Sequence, residues 1–202
     1  ECDCSKFQEL DGFKLTENQC KTSQYMCENN IVLLVGYGGS GKSSSTQAFV
    51  NMLNAYNKRH LLLAPTGRAA KVLSGFTNEN AMTIHRGLMY MPPADWGFNE
   101  ENKLPYDVVI VDEFSMVDIF LFRKLLEAID FEKTKLLLIG DDAQIPSVGA
   151  GNVLYDLLKC EDIPTITLDK VFRYGKGGLS TVATDTRTGT EYLDKTKIGM
   201  QV

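Results

Sequence analysis

The sequence contains no apolar run that is long enough to cross a membrane. Its longest runs have four or five residues in a chain of 202, whereas a membrane-spanning helix needs about 18–20. The first ten residues carry acids and lack the apolar core of a secretory signal peptide. We therefore expect a cytoplasmic protein with no membrane segment.

Cysteine is scarce as well. The five cysteines are an odd number and too few for a disulfide framework at this length, so a reducing compartment is expected. A four-thiolate zinc site is the alternative to free thiols, although C-x-C and C-x6-C spacings differ from the usual C-x2-C pairs. The four cysteines in question are Cys2, Cys4, Cys20 and Cys27.

Positive charge does not predominate. Lysine and arginine number 21 against 26 aspartates and glutamates, so the net charge is −5. This balance argues against a protein that coats nucleic acid through its overall charge, and any polyanion must be bound locally. With 44% hydrophobic and 23% charged residues, the chain has the composition of a globular protein and the length of one full domain, with room for the start of another.

Short apolar runs alternate with helix-like stretches along the chain. Each run is continuously apolar, as expected of parallel strands buried on both faces, so the pattern predicts an α/β fold with helices on both sides of a parallel sheet. Predicted helices cover 42–56 and 117–129, where apolar residues recur at helical spacing. The predicted strands are 31–35, 61–64, 108–111, 136–139 and, more weakly, 165–168.

Two segments depart from this alternation. Residues 91–105 contain prolines, a glycine and two aromatics, a composition that predicts a small hairpin or protruding loop inserted into the domain. From residue 175 onward, glycines are followed by a polar, threonine-rich stretch without another apolar strand. We expect the domain to cover residues 1–174 and residues 175–202 to be a linker or the start of a second domain.

A glycine-rich motif lies between the first predicted strand and the first predicted helix. Residues 36–43 read GYGGSGKS, which satisfies the phosphate-binding pattern G-x-x-x-x-G-K-[ST] in its required strand-to-helix context. The loop backbone would surround phosphate oxygens, Lys42 would reach the β- and γ-phosphates, and Ser43 would offer its hydroxyl to Mg²⁺. The alternative is a glycine-rich turn without a ligand.

Two acids follow the strand at 108–111. Asp112 and Glu113 occupy the edge at which a parallel sheet binds its ligands. We assign Asp112 to the Mg²⁺ of a nucleoside triphosphate and Glu113 to the activation of the attacking water. The alternative is an acidic pair that caps a helix.

A polar segment follows the strand at 136–139. Residues 140–144, GDDAQ, would open onto the same edge of the sheet, where the Gln144 amide could sense a γ-phosphate. A plain turn capped by Asp141 or Asp142 explains the segment equally well.

Four longer motifs follow one another along the chain. They are APTGRAA at 64–70, TIHR at 83–86, VDEFSMVD at 111–118 and GDDAQIPSVGAG at 140–151. In order and spacing they resemble the motifs of superfamily-one DNA helicases of the RecD-like class, the type of the exodeoxyribonuclease V alpha subunit. The resemblance covers about residues 15–194, and the stretch VATDTRTG at 182–189 is similar to the phage Dda branch. It implies the first RecA-like motor domain, a three-layer P-loop NTPase.

The resemblance assigns roles around the nucleotide. LTENQ at 15–19 makes Gln19 the adenine contact, Gln144 couples the γ-phosphate to DNA movement, and VFRY at 171–174 brings Arg173 to the γ-phosphate. Tyr174 stands where the family more often has glutamine, and Tyr37 is unusual in the loop. The nucleotide-binding set is Gln19, Gly36, Gly38, Gly39, Ser40, Gly41, Lys42, Ser43 and Ser44, with Ser43 and Asp112 at the metal and Lys42, Glu113, Gln144 and Arg173 as catalytic residues.

The resemblance also places a path for single-stranded DNA. The residues at the matching positions are Thr66, Arg68, His85 and Arg86, whose hydroxyl and cationic groups suit phosphates. Local roles compete with DNA contact, since Thr66 and Thr83 are natural helix caps and His85 could simply pack. The 91–105 insertion corresponds to the hairpin that splits the duplex, where Trp96 and Phe98 could act as a wedge or merely pack.

The activity implied is ATP-dependent 5′ to 3′ movement on DNA with Mg²⁺, in repair or recombination, with exonuclease or replication partners possible. A second RecA-like domain is also implied, so we expect this chain alone to bind nucleotide, hydrolyse it slowly and unwind nothing. The alternatives are a subunit of a RecD-type exonuclease complex, a binding-only module and a P-loop kinase. The kinase would lack the Asp-Glu pair and the 140–151 motif.

Overall fold

The computed structural model describes residues 7, 9–10, 12–141, 143–144 and 149–168. A 3₁₀ turn, Phe114–Met116, precedes the fifth helix. The strands and helices are, in chain order, β1 (Glu9–Leu10), β2 (Phe13–Lys14), α1 (Glu17–Glu28), β3 (Ile31–Gly36), α2 (Lys42–Ala55), β4 (His60–Ala64), α3 (Gly67–Thr77), β5 (Ala81–Thr83), α4 (Ile84–Gly87), β6 (Tyr90–Met91), β7 (Asp95–Trp96), β8 (Val108–Val111), α5 (Ile119–Glu127), β9 (Lys135–Gly140), α6 (Val153–Leu158) and β10 (Thr165–Leu168).

The centre of the fold is a six-stranded sheet with the strand order β10-β3-β9-β8-β4-β5. Every neighbouring pair is parallel, which confirms the predicted α/β class. All five predicted strands are present within one residue of their expected ends. The sequence did not predict β5, because its three half-buried residues at the sheet edge form no apolar run.

Alternate residues of each strand enter two separate cores. In β3, Leu33 and Val35 face the core built with α4, α5 and α6, whereas Val32 and Leu34 face the core built with α1, α2 and α3. Because both faces are covered, β3, β8 and β9 contain almost no solvent-accessible residues. The result is the predicted three-layer architecture.

Helix α5 is shorter than its apolar pattern suggested. The prediction was 117–129, but the helix runs from Ile119 to Glu127. Its start is fixed by Asp118, whose carboxylate accepts the backbone N–H of Leu121 at 2.8 Å, a standard N-cap arrangement. Val117 and Ile129 lie outside the helix and are nevertheless buried.

The inserted segment contains the predicted hairpin. Strands β6 and β7 pair antiparallel, with Tyr90 opposite Trp96, so the hairpin begins one residue before the expected boundary. The following loop folds back on the domain, since Phe98 N–H donates to Leu88 O at 3.1 Å and Leu104 is buried.

Lys135 connects the first residue of β9 to the end of α1. Its ammonium donates to the carbonyl oxygens of Met26 at 2.7 Å, Cys27 at 2.8 Å and Asn29 at 3.1 Å. These groups lie at the C-terminal end of α1, where a helix supplies no further N–H donors of its own. We expect Lys135→Met to lower the free energy of unfolding by about 1–3 kcal/mol, measured by urea denaturation. The control is Lys133→Met, because the Lys133 side chain is 79% exposed; equal midpoints for the two variants would contradict this role.

Candidate functional site

Three neighbouring strands end at one edge of the sheet with polar residues. The glycine-rich loop follows β3, Asp141 follows β9, and the Asp112–Glu113 pair follows β8. Because β3, β9 and β8 lie side by side and parallel, all of these residues reach the same edge. This is where ligands bind in open α/β sheets.

The glycine-rich loop has a backbone that few other residues could form. Gly39 and Gly41 have φ angles of +85° and +97°, in the region that favours glycine. A Cβ atom at Gly36 would lie 2.5 Å from Ser40 Oγ and 2.7 Å from Leu168 O, whereas one at Gly38 would meet nothing within 4 Å. The loop therefore packs tightly against its surroundings at Gly36 and is open at Gly38.

One buried hydroxyl in this loop has no hydrogen-bond partner within the described structure. Ser40 is 1% exposed, and its Oγ makes no hydrogen bond there, which is uncommon for a buried polar atom. Behind the loop, α2 begins at Lys42, and exposed Ser43 and half-buried Ser44 form its first turn. A loop of this shape at a helix N-terminus fits the phosphates of a nucleotide.

Lys42 turns its ammonium group back over the loop. It donates to the carbonyl oxygen of Gly36 and to that of Tyr37 at 3.1 Å. The carboxylate of Asp141, which is almost fully buried, lies 3.9 Å away. The positive charge is thus held above the backbone of the glycine-rich loop.

Asp112 is the electrostatically unusual group of this edge. Burial raises the pKa of its carboxyl group to about 6, and the neighbouring Glu113 acts in the same direction, while a hydrogen bond from Glu113 N–H and the charge of Lys42 oppose the rise. That hydrogen bond is 2.9 Å long. Glu113 itself has a φ of +52°, an uncommon conformation for a residue with a side chain and one that often marks functional sites.

The raised pKa predicts that Asp112 destabilises the nucleotide-free fold near neutral pH. Because its pKa is higher in the folded chain than the ordinary aspartate value of 3.8, the cost is absent below about pH 4 and complete above about pH 6. We expect Asp112→Asn to raise the free energy of unfolding by about 1–3 kcal/mol at pH 7 and by nothing at pH 4. Urea denaturation at both pH values tests this, with the exposed Asp162→Asn as control; a gain that is equal at both would contradict it.

Gln19 lies against the glycine-rich loop, and its side-chain amide forms hydrogen bonds with other groups of the protein. Its Oε1 accepts the backbone N–H of Thr16 at 2.9 Å and the Thr16 hydroxyl at 3.1 Å. Its Nε2 donates to Gly41 O at 3.2 Å. The residue caps α1 and joins that helix to the loop, which places it beside the predicted nucleotide site.

Gln144 connects two of the motifs. Its Oε1 accepts the Ser115 hydroxyl at 3.3 Å, and its backbone N–H donates to Asp141 O at 3.2 Å. The segment after β9 is thereby joined to the segment after β8. Sequence reasoning did not single out Ser115, although it lies three residues after Asp112; nor did it connect Asp141 with Lys42, because that contact depends on strand order.

Some predicted residues lie outside the described residues. These are Arg173, Tyr174, Asp142, Cys2, Cys4 and the stretches 145–148 and 182–189. Cys20 and Cys27 are described and lie seven residues apart on α1, about 10 Å along the helix axis. That separation exceeds the roughly 4 Å between two sulfurs on one zinc ion, so these two thiols cannot share a metal while α1 is intact.

The predicted DNA contacts follow β4 and β5, which are neighbours in the sheet. Arg68, His85 and Arg86 are all exposed. Thr66 and Thr83 act as helix caps, their hydroxyls accepting the N–H groups of Ala69 and Arg86, each at 3.2 Å. Because β5, β4 and β8 are parallel neighbours, these residues lie at the same edge of the sheet as the Asp112–Glu113 pair.

Two rings of the hairpin contact His85. The ring centroids of Tyr90 and Trp96 lie 5.5 Å and 5.6 Å from that of His85, and 4.6 Å from each other. Trp96 and Phe98 are both partly buried and also pack against the core. The hairpin is therefore anchored to α4 through aromatic contacts with His85.

The family model described as an AAA domain, AAA_30, matches residues 14–198, which is most of the chain. The chain belongs to this family. Curated relatives of this AAA domain include the ATP-dependent RecD2 DNA helicase of Deinococcus radiodurans, 37% identical over 79% of this chain and 22% of that protein. The RecBCD enzyme subunit RecD of Mycolicibacterium smegmatis is 32% identical over 71% of this chain and 30% of its own length. The resemblance to RecD-like helicases is thus confirmed.

Solved structures share the fold of this AAA domain. The Pif1 helicase from Candida albicans superimposes with a TM-score of 0.62 at 22% identity, over 87% of this chain and 44% of the other. The chain spans about a fifth to a third of the curated relatives named above. Among the residues that the structure describes, no helix has the length and apolar character needed to cross a bilayer.

Proposed function

We propose that this chain is the ATP-hydrolysing motor domain of a RecD-like DNA helicase that moves 5′ to 3′ on single-stranded DNA in the cytoplasm. The observation that carries the proposal is the meeting of the glycine-rich loop with Lys42, of Asp141 and of the Asp112–Glu113 pair at three adjacent strand ends. A phosphate cradle, a cation and two carboxylates at one edge are the components of nucleoside triphosphate hydrolysis.

The nucleotide would lie along the loop and the first turn of α2. Backbone N–H groups of residues 36–43 bind phosphate oxygens, Lys42 exchanges its carbonyl partners for the β- and γ-phosphates, and Gln19 faces the adenine. Ser43 and Asp112 would hold Mg²⁺, which neutralises charge on the transferred phosphoryl group. The described residues contain no cluster of three or more His, Cys, Asp or Glu side chains that could hold a metal ion.

The resemblance to RecD-like helicases supplies the remaining roles. Glu113 orients and deprotonates the attacking water. Gln144, through its bond to Ser115, transmits the state of the γ-phosphate toward the DNA-side surface, where Thr66, Arg68, His85 and Arg86 contact the strand. Arg173 and a second RecA-like domain complete the hydrolytic site.

A second candidate is a motor subunit within an exonuclease complex. The observation that favours it is that relatives at 32–35% identity are named RecBCD enzyme subunits. The motor chemistry of this chain would be the same in both settings, and the difference would lie in its protein partners.

ATP hydrolysis measured with and without oligothymidylate tests the proposal. We expect a slow basal rate that single-stranded DNA raises severalfold, because DNA contacts are coupled to the nucleotide edge. Arg68→Ala should weaken this stimulation, and Lys133→Gln, at the opposite edge, should not. Hydrolysis that is indifferent to DNA and stimulated by a small phosphate acceptor would instead identify a kinase.

A further inference from the structure

A groove separates the β6–β7 hairpin from α5. Its volume is about 390 Å³, within the range of clefts that bind small ligands, roughly 300–1,000 Å³. Three rings and two cations line it, together with Asp118. We call this concavity the hairpin groove, and define it by His85, Trp96, Asp118, Phe120, Arg123 and Lys124.

One wall of the hairpin groove is an exposed aromatic ring. Phe120 is 69% exposed, and its neighbours Ile119 and Met116 are 45% and 44% exposed. Contiguous exposed apolar side chains mark binding surfaces more often than they mark the ordinary exterior of a domain. Phe120 contributes little to the core of this domain, so its exposed ring is accessible to a ligand.

The opposite wall presents rings that are already ordered. Trp96 and Tyr90 are in contact with each other and with His85. Rings held in place by their neighbours lose little conformational freedom when a ligand stacks on them. The hairpin groove is therefore prepared for a flat, aromatic ligand group.

The charges in the hairpin groove suit a base with its phosphate. Arg123 and Lys124 each bond to Glu127 at 2.7 Å, yet their side chains remain 75% and 39% exposed. Asp118, whose carboxylate caps α5, disfavours phosphate directly above it because carboxylate and phosphate oxygens repel each other. Phosphates are thus directed toward Arg123 and Lys124, and bases toward the rings.

We propose that the hairpin groove binds an unpaired nucleobase of single-stranded DNA, stacked between Phe120 and Trp96, with its phosphate at Arg123 and Lys124. The proposal rests on the proposed function and extends it, because His85 belongs both to the DNA-side surface after β5 and to the hairpin groove. Aromatic platforms beside cations are the usual means of binding single strands without regard to sequence. A duplex would not fit, since its bases offer no free ring face.

The intrinsic fluorescence of the chain can report whether a base occupies the hairpin groove. Trp96 is its single tryptophan, so a base that stacks in the hairpin groove should quench the intrinsic fluorescence. We would titrate the chain with oligothymidylate, follow Trp96 emission, and measure binding independently by the anisotropy of a labelled oligonucleotide. We expect both signals to saturate together.

Matched variants at Phe120 distinguish the effect of its aromatic ring on DNA binding from the effect of an apolar side chain in general. Phe120→Leu removes the ring and keeps an apolar side chain, and should weaken binding about five- to hundredfold and abolish much of the quenching. Phe120→Tyr keeps the ring and should retain both. Arg123→Gln should lower the slope of log affinity against log salt by about one contact, whereas Lys133→Gln should leave it unchanged.

Each possible result of these experiments either supports or contradicts base binding in the hairpin groove. Oligonucleotide binding with unchanged Trp96 emission and equal affinity in Phe120→Leu overturns the hairpin groove and leaves the proposed function standing. No binding at any concentration overturns both. If Phe120→Leu instead removes a dimer seen by sedimentation and leaves DNA affinity unchanged, the occupant is a second copy of the chain and the proposal is wrong.

Discussion

Replacing Glu113 with glutamine should lower the rate of ATP hydrolysis by about 10²–10⁴-fold and leave nucleotide affinity close to that of the unaltered chain. Glutamine has nearly the same shape as glutamate and can keep the backbone conformation at φ +52°, but it cannot accept a proton from water. The glycine-rich loop and Lys42, which we propose bind the phosphates, and Asp112, which we propose binds Mg²⁺, are untouched. Single-turnover hydrolysis and the binding of a fluorescent ATP analogue measure the two quantities separately.

The control for Glu113→Gln is Glu132→Gln. Glu132 is an exposed acid in the turn before β9, at the edge of the sheet opposite the nucleotide. Its substitution removes the same charge from the chain and should change neither hydrolysis nor binding. A hydrolysis rate that is unchanged in Glu113→Gln removes Glu113 from the role of base, and a loss of nucleotide binding assigns it to ligand binding instead.

The strands could be predicted from sequence because of where they lie. β3, β4, β8 and β9 are covered on both faces, so their residues are almost all apolar and stand out in the chain. β5 pairs only with β4 and is half-buried, and it leaves no such pattern. α1 is predominantly polar, and its start is fixed by the capping pair of Thr16 and Gln19 rather than by an apolar face.

The site was predictable where its chemistry is local and not where it depends on strand order. The glycine-rich loop carries its function in consecutive residues, because the turn, the cation and the helix N-terminus are contiguous. The contacts between Lys42 and Asp141 and between Ser115 and Gln144 join segments about 30 to 100 residues apart. They exist because β9 lies between β3 and β8, an arrangement that the apolar runs alone do not specify.

Lys42→Met should weaken ATP binding roughly ten- to hundredfold and lower the hydrolysis rate at saturating ATP by about 10²–10³-fold. The structure places the Lys42 ammonium over the loop, bonded to two carbonyl oxygens and 3.9 Å from Asp141. This is a pre-positioned cation that phosphates can take over with little reorganisation. Methionine fills similar space but offers phosphates no charge. Titration with a fluorescent ATP analogue and steady-state hydrolysis measure both effects.

The same substitution also leaves the buried carboxylate of Asp141 without its cation, so a loss of stability could be mistaken for a loss of function. A second variant separates the two. Adding Asp141→Asn to Lys42→Met should restore the melting temperature, because the uncompensated buried charge is gone, but it should not restore hydrolysis. Lys58→Met, at an exposed position before β4, should alter neither property. Recovery of hydrolysis in the double variant would show that Lys42 serves the fold and not the phosphates.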